Sequence, residues 1–369
     1  MLLLLLIIAG LGWLWWHQKH PPKISKHKPL AIARTIAPVI VSPPVVKSVP
    51  PVQPAVEMPP PPPIALLTTN SSPVAVPEKT ANLARPARDV FEAQVALARR
   101  GISPGSIDGA IGSQTRAAIA AFQRSEKLFA SGTLDTNTRS KLTLDLPLLT
   151  EYSVTTNDLT RLQPIGKTWL AKSEQSALDY ETLLELVAEK GHSHPLLVQR
   201  LNPAVNWTNV VAGTILKIPD VVYPEPDGKA ALVMIHLSEK FLEAFDAETN
   251  LLLHCPCSIA AKVEKRPVGE LHVTKDIAPN PNYTFDPAVF PESPEAQAIG
   301  RKLILPPGPN NPVGVAWIGL DKPGYGMHGT PAPEQIGRTE SHGCFRLANW
   351  DAAYLVKLVW IGLPVEVVP

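Results

Sequence analysis

Apolar and polar positions fall into distinct regimes along the chain. Met1 to Trp16 carries no ionisable side chain: Leu2 to Leu6, Ile7 and Ile8 run together, and Trp13, Trp15 and Trp16 precede His17 and Lys19. Such a run is just short of the roughly 17 to 25 residues a spanning helix needs, and clustered tryptophans suit a headgroup interface. No small-residue cleavage site follows closely, which favours an uncleaved anchor over a signal peptide. Lys19, Lys23, Lys26 and Lys28 come after the segment, an order that the positive-inside rule alone reads as cytoplasmic retention. Patterning then vanishes: Pro21 to Pro86 holds 17 of the 41 prolines, including Pro59 to Pro63. This stretch reads as an extended polyproline linker.

Helical spacing begins with Val90, Val95 and Leu97. A turn-rich run from Gly101 to Gly109 follows, then Ala117, Ala118, Ala121 and Phe122 at helical intervals. A turn at Ser131-Gly132-Thr133 and a short helix from Thr136 to Leu142 complete three helices around Phe122. Further on, Tyr180 to Gly191 reads as a helix with Leu183, Leu184, Leu186 and Val187 inward, Pro195 to Leu201 as another, and Ala212 to Pro219 as a turn and strand. From Ala230 the period becomes two, in Ala231 to Leu237, Leu251 to Cys255 and Val313 to Leu320. Glycine and proline punctuate these strands as an all-β sandwich or barrel requires. Tyr354 to Ile361 reads as a helix, and Val365 to Val368 as a closing strand.

Composition narrows the function classes. With 45% hydrophobic and 18% charged residues the chain is not wholly disordered, and a net charge of +1 supplies no global field for nucleic acid. Charge is nevertheless segregated: eight basic against two acidic residues give +6 between His17 and Pro86, leaving −5 for residues 87–369. Three cysteines cannot build a disulfide scaffold and leave at least one thiol over. Cys255 and Cys257 flank Pro256 on an apparent strand and read as small apolar fillers, since a bridge across one residue is strained. His192 and His194 lack further ligands nearby and read as a solvated loop, so no metal is expected.

The strongest chemical signal is Met327-His328-Gly329-Thr330 followed, sixteen residues after His328, by Cys344 within Ser341-His342-Gly343-Cys344-Phe345-Arg346-Leu347. A thiol with a pKa of about 8.5 is only a few per cent thiolate at neutral pH, so a cysteine nucleophile needs a nearby base or cation. His328 is the candidate base. His342 and Arg346 supply positive charge, and the amides around Gly343 and Cys344 can hold an oxyanion.

Three stretches carry family resemblances. Gly105 to Gly112, Thr115 to Ile119, Phe122-Gln123 and Gly132 to Asp135 resemble the small three-helix peptidoglycan-binding domain, which implies wall binding. The helix pair, Leu201-Asn202-Pro203 and Gly213 to Pro219 are similar to the end of a LysM glycan-binding module, although Tyr152 to Ala177 is longer and more irregular. His328-Gly329-Thr330, Gly337, Ser341 to Cys344, Arg346 and Leu347, with Pro267-Val268-Gly269 and Trp317 to Leu320, resemble the YkuD-type L,D-transpeptidase domain.

The fold expected is therefore multidomain: a membrane anchor or signal segment (1–16), a basic proline-rich linker (17–86), a small all-α peptidoglycan-binding domain (87–146), an α+β LysM-like middle domain (150–221) and a mainly-β catalytic domain (229–369). The transpeptidase resemblance implies Cys344 as acyl-accepting nucleophile, His328 as its base, and His342 and Gly343 at the oxyanion site. It also implies Arg346 as an anchor for a substrate carboxylate or a brace, Ser341 as an orienting or substrate-binding hydroxyl, and Tyr325 lining the groove. No cofactor is implied. The expected partners are peptidoglycan stem peptides and glycan, and the membrane through the N-terminal segment, with no nucleic acid; the expected place is the periplasmic side of the inner membrane. The implied reaction forms cross-links through a thioester and releases terminal D-alanine. Resolution of the acyl-enzyme by water or by a lipoprotein lysine, and a noncatalytic wall-binding role, are the alternatives.

Overall fold

The computed structural model describes residues 84–338, 341 and 343–369. The apolar segment 1–16, the linker as far as residue 83, and His342 lie outside the described residues. Among the described residues no helix is long and apolar enough to cross a membrane.

A two-residue strand β1 (Arg85–Pro86) leads into three helices, α1 (Val90–Ala98), α2 (Ser113–Ser125) and α3 (Thr136–Lys141), and pairs antiparallel with β2 (Thr143–Leu144) behind them. Side-chain caps set two of the helix starts: Asp89 accepts the amide of Glu92, and Asp135 that of Thr138. Between α1 and α2 the turn-rich loop is held by Gln94, whose amide donates to Asp108 Oδ1 and Thr115 Oγ1 and accepts from the Gly109 amide. Leu97, Ile119 and Phe122 are buried in one apolar cluster with Val233, Leu253 and Leu355 of the sheet domain. The three-helix unit thus shares a core with the sheet, and each side chain of this size contributes roughly 1.5–3 kcal/mol to the folded state when fully buried.

The middle region is framed by β3 (Leu149–Ser153) paired antiparallel with β4 (Ile215–Pro219). Between them lie α4 (Thr156–Arg161), α5 (Trp169–Ser173), α6 (Leu183–Lys190) and α7 (Pro195–Leu201). Capping boxes at Thr155/Asp158 and Thr182/Glu185 fix the starts of α4 and α6, so α6 begins after Thr182 and not at Tyr180 as the apolar spacing suggests. Leu186, Val187, Leu216 and Ile218 form its own core. The histidines between α6 and α7 are no solvated loop. His192 stacks on Trp350 at 5.1 Å and 9° and meets Tyr223 edge-on, and burial pushes its pKa down to about 3. His194 caps α7, its Nδ1 accepting the Leu196 amide at 3.1 Å.

The remaining strands are β5 (Leu232–His236), β6 (Phe241–Phe245), β7 (Leu251–Pro256), β8 (Gly269–Pro279), β9 (Tyr283–Phe285), β10 (Leu303–Leu305), β11 (Ala316–Leu320), β12 (Gly326–His328), β13 (Phe345–Arg346) and β14 (Pro364–Val368); α8 (Pro294–Ile299) precedes β10 and α9 (Asn349–Leu358) precedes β14. Eight of them form one mixed sheet in the order β13-β12-β11-β8-β14-β5-β6-β7. The long β8 serves both halves: residues 269–272 pair with β14, and its C-terminal part with β11, where a bulge falls between Ile318 and Leu320. The ladder's edges then meet, because Ser258, just past β7, exchanges backbone hydrogen bonds of 2.9 and 3.0 Å with Arg346 of β13. β9 and β10 make a separate hairpin whose Phe285, Leu303 and Leu305 are buried with Leu178, and Trp169 of α5 packs against them. The last helix is Asn349–Leu358, shifted towards the N-terminus from the Tyr354 to Ile361 pattern. Asn349, Trp350, Asp351 and Ala352 are all buried, so its first turn has no polar face to register in sequence.

Candidate active site

The site is built on the parallel pair β12 and β13, where Met327 faces Phe345 and His328 faces Arg346. Side chains alternate along a strand and register partners point the same way. Met327 and Phe345 are buried inward, at 0% and 1% exposure, so His328 and Arg346 share the opposite face. Cys344 directly precedes β13, two residues from Arg346, and joins that face. An open cavity of about 490 Å³ is lined by His328, Cys344 and Arg346 together, with Tyr283, Trp317 and Tyr325 among its walls.

His328 is held from two sides. Its Nδ1 meets the Gly329 carbonyl at 2.7 Å, which fixes Nδ1 as the donor and leaves Nε2 as the acceptor. Its ring stacks on Trp317 at 5.7 Å and 25°, and the Trp317 indole donates to Asp276 at 2.8 Å. Asn349 secures the turn behind it, Oδ1 accepting the amides of Val315 and Thr330 at 3.2 and 3.1 Å. Any Cβ on Gly314 or Gly329 would meet that oxygen at 2.0 or 2.3 Å, so the close approach of this loop requires glycine. Burial pushes the imidazole down to about 4, with the Gly329 carbonyl opposing and Arg346 assisting.

Cys344 rests with its thiol donating to the Gly324 carbonyl at 3.4 Å. Burial raises the thiol, while the backbone of Gly326 and the charge of Arg346 pull the other way. The sequence leads one to expect a thiolate ionised by its imidazole neighbour; desolvation acts the other way on both groups, favouring the neutral thiol and the neutral imidazole.

The other candidates sort by what they touch. The Ser341 hydroxyl donates to the Cys344 carbonyl and accepts the Gly343 amide at 3.2 Å, and Ser341 is itself clipped to Ile259 and Ala261 by backbone bonds. Ser341 therefore ties the cysteine loop to the segment that follows β7, and the Gly343 amide, expected at an oxyanion site, points to Ser341. The Tyr325 ring lies 3.6 Å from where a Gly343 Cβ would be, its hydroxyl donating to the Lys265 carbonyl at 2.9 Å. Arg346 is partly buried, its backbone paired with Ser258 and its guanidinium coupled electrostatically to Cys344 and Tyr283. Cys255 and Cys257 are buried and unbridged, and no group of three or more His, Cys, Asp or Glu that could hold a metal occurs among the described residues.

Two protein-family models match the chain: the L,D-transpeptidase catalytic domain YkuD over residues 230–367 and a putative peptidoglycan binding domain over residues 87–142. The chain is 41% identical over 187 residues to the putative L,D-transpeptidase YkuD of Bacillus subtilis, covering 51% of this chain and 93% of that protein. It belongs to the YkuD family of L,D-transpeptidases. The Bacillus licheniformis YkuD is 26% identical over 51% of this chain and 94% of that protein. A probable L,D-transpeptidase of Escherichia coli K12, YbiS, is 30% identical over 45% of this chain, which spans 53% of the relative's length.

Several residues around the transpeptidase site carry no chemical signal in the sequence. Tyr283 sits in the hairpin β9–β10 and reaches the cavity only through tertiary structure. Asn349 opens a helix and looks like any polar terminus. Gln114 of α2 donates to the Ile336 carbonyl at 2.6 Å, a contact between residues 222 apart that no local pattern could reveal.

Proposed function

We propose that this protein forms peptidoglycan cross-links through a cysteine acyl-enzyme. The observation that carries the reading is the β12–β13 register, which puts Cys344 and His328 on one face of one cavity with Nδ1 of the imidazole already committed to a carbonyl. Nε2 is then free to accept the thiol proton as sulfur attacks. Burial favours the neutral form of both groups, so in this reading the proton moves during attack, after the thiol turns from Gly324 towards the imidazole.

In the first half-reaction Cys344 Sγ bonds to the carbonyl carbon between the diamino acid and the terminal D-alanine of a tetrapeptide stem. The C–N bond breaks, and the amine of D-alanine leaves with the proton that His328 took. An amine of a second stem then attacks the thioester carbonyl, passing its proton to His328; the C–S bond breaks, and the imidazole returns that proton to the leaving sulfur, restoring the thiol. One amide replaces another, so no external energy source is needed. Arg346, bordering the thiol, suits a stem carboxylate. Tyr325 and Ser341 act through the loop, one covering Gly343 and the other tying the Cys344 carbonyl.

The peptidoglycan-binding domain supports a wall polymer as partner. The antiparallel pair β3–β4 enclosing α6 and α7 supports a LysM-like reading of the middle region, with α4 and α5 as additions. The apolar segment 1–16 fits an anchor that holds these modules at the periplasmic face of the inner membrane.

Incubation of the purified protein with disaccharide-tetrapeptides, followed by mass spectrometry, tests the reading. Cross-linked dimers together with free D-alanine are expected. Shortened monomers alone would make water the acceptor, and no product at all with the wild-type protein would sink the enzyme reading.

A further inference from the structure

A crevice of about 150 Å³ opens where the three-helix module meets the sheet, sharing no lining residue with the Cys344 cavity. One wall is the loop and helix start at residues 104–117; the other comes from residues 239–241, 254–256 and 334–338. Two polar atoms of its lining residues are buried and lack a partner among the described residues: Ser106 Oγ and His254 Nε2. His254 is wholly buried, and its Nδ1 is committed to Glu243 at 3.1 Å, so Nε2 is the atom left over. Leaving such atoms unpaired is costly, which favours a visiting group that bonds to them.

The lining also carries charges of both signs. Asp108, Glu239 and Glu334 are acidic, Lys240 and Arg338 basic, and Phe241 is the one Phe, Tyr or Trp among its described lining residues. A saccharide brings neither charge, and it prefers aromatic faces on which to lie. A short peptide end with a free amine and a free carboxylate matches both signs at once. The crevice floor is also the start of the cysteine loop, because Gln114 Nε2 donates to the Ile336 carbonyl at 2.6 Å and Lys240 Nζ to that of Gly337 at 3.3 Å.

We propose that this crevice is a second peptide site, taking the zwitterionic end of a wall stem with its amine towards Glu239 and Glu334 and its carboxylate towards Lys240 and Arg338. The proposal rests on reading the chain as a wall transpeptidase. It places an unreacted stem beside the enzyme's own loop while another occupies the Cys344 cavity, raising the local concentration of substrate ends.

The test uses the full chain carrying Cys344→Ala, so that nothing turns over, titrated calorimetrically with a synthetic stem tetrapeptide. Two sites per chain are expected. Adding Glu239→Gln and Arg338→Gln, both at exposed positions, should weaken one site tenfold or more and leave the other and the thermal midpoint unchanged. One site or none in the Cys344→Ala chain overturns the proposal, as does a pair of sites indifferent to the charge changes. A peptide-free disaccharide that competes at the second site overturns its peptide character. The transpeptidase reading is judged separately, by whether a β-lactam adds its mass to wild-type Cys344.

Discussion

Two places in the one sheet bring cysteine and histidine together, and only one of them opens its thiol to a cavity. On β6 and β7, Cys255 and His254 are fully buried, Cys257 follows, and the three-helix module closes over them. Ile102 bridges His254, and Arg124 of α2 reaches the buried Glu243, which also accepts from His254. On β12 and β13 the same residue types line a cavity. Burial pushes thiols up and imidazoles down at both places. The direction of the shift therefore does not mark the candidate pair. Access of the thiol marks it: Cys344 lines a cavity, whereas Cys255 is fully buried.

Replacing the sulfur at each place should separate them most widely. Cys344→Ala should lower acyl-enzyme formation by at least about 1,000-fold, since a nucleophile has no substitute. Cys255→Ala should leave the acylation rate near that of the wild type and lower only the thermal midpoint; intact-mass kinetics with a β-lactam probe measure both. Loss of acylation in Cys255→Ala at a temperature where it remains folded would dissolve the distinction.

The histidines give the next contrast. His328→Ala should slow acylation by roughly 100-fold or more, within the range for a general base. The pH profile carries the sign: with its pKa pushed down to about 4, His328 accepts a proton throughout the neutral range and loses that capacity only as pH falls through about 4. Acylation should hold steady from pH 7 to pH 5 and drop below that. An acid limb near 6.5, the value of an unburied imidazole, would mean the ring is solvated during reaction. His254→Phe should change neither rate nor limb.

The difference between the two places was only half legible in sequence. Cys344 and His328 are readable because their motifs are contiguous and the spacing between them is short. The silent role of His254 is not, since what closes it is Arg124, more than a hundred positions earlier. Secondary structure divides along the same line. α2 shows its period because one face meets solvent, whereas β6 is buried at four of five positions and β8 is largely half-exposed, so neither alternates. His192 reads as a loop residue because its partners, Trp350 and Tyr223, come from elsewhere in the chain.

The closed place should respond in stability and not in rate. Glu243 is 4% exposed and accepts from both Arg124 and His254. Arg124→Ala removes a charge-assisted hydrogen bond and leaves the carboxylate with two imidazoles, His254 and His236, that burial disfavours charging. A loss of about 2 kcal/mol is expected, the usual scale for a hydrogen bond to a charged group. Denaturant unfolding checks it, and acylation well below the transition should be unaltered.

The smallest effect concerns a contact through which the three-helix module touches the cysteine loop. Gly337 starts the cysteine loop with a left-handed φ of 75°, its amide donating to Ser258 Oγ at 2.8 Å. The neighbouring Ile336 carbonyl is held by Gln114 of the three-helix module. If that contact helps set the loop, Gln114→Ala should reduce the saturating rate of β-lactam acylation by about 5-fold, the kinetic equivalent of roughly 1 kcal/mol for one neutral hydrogen bond. The probe concentration at half-saturation should not move, because Gln114 is not among the residues that line the cavity. Gln114→Glu cannot donate and should match the alanine variant, while Gln114→Arg restores a donor and should recover part of the rate. Gly105→Ala offers an independent route to the same loss, since its Cβ would lie 2.2 Å from Gln114 Oε1 and displace the amide. Equal rates in all four variants would make the module a passive cover for β7, with the cysteine loop set by Ser341 and Ser258 alone.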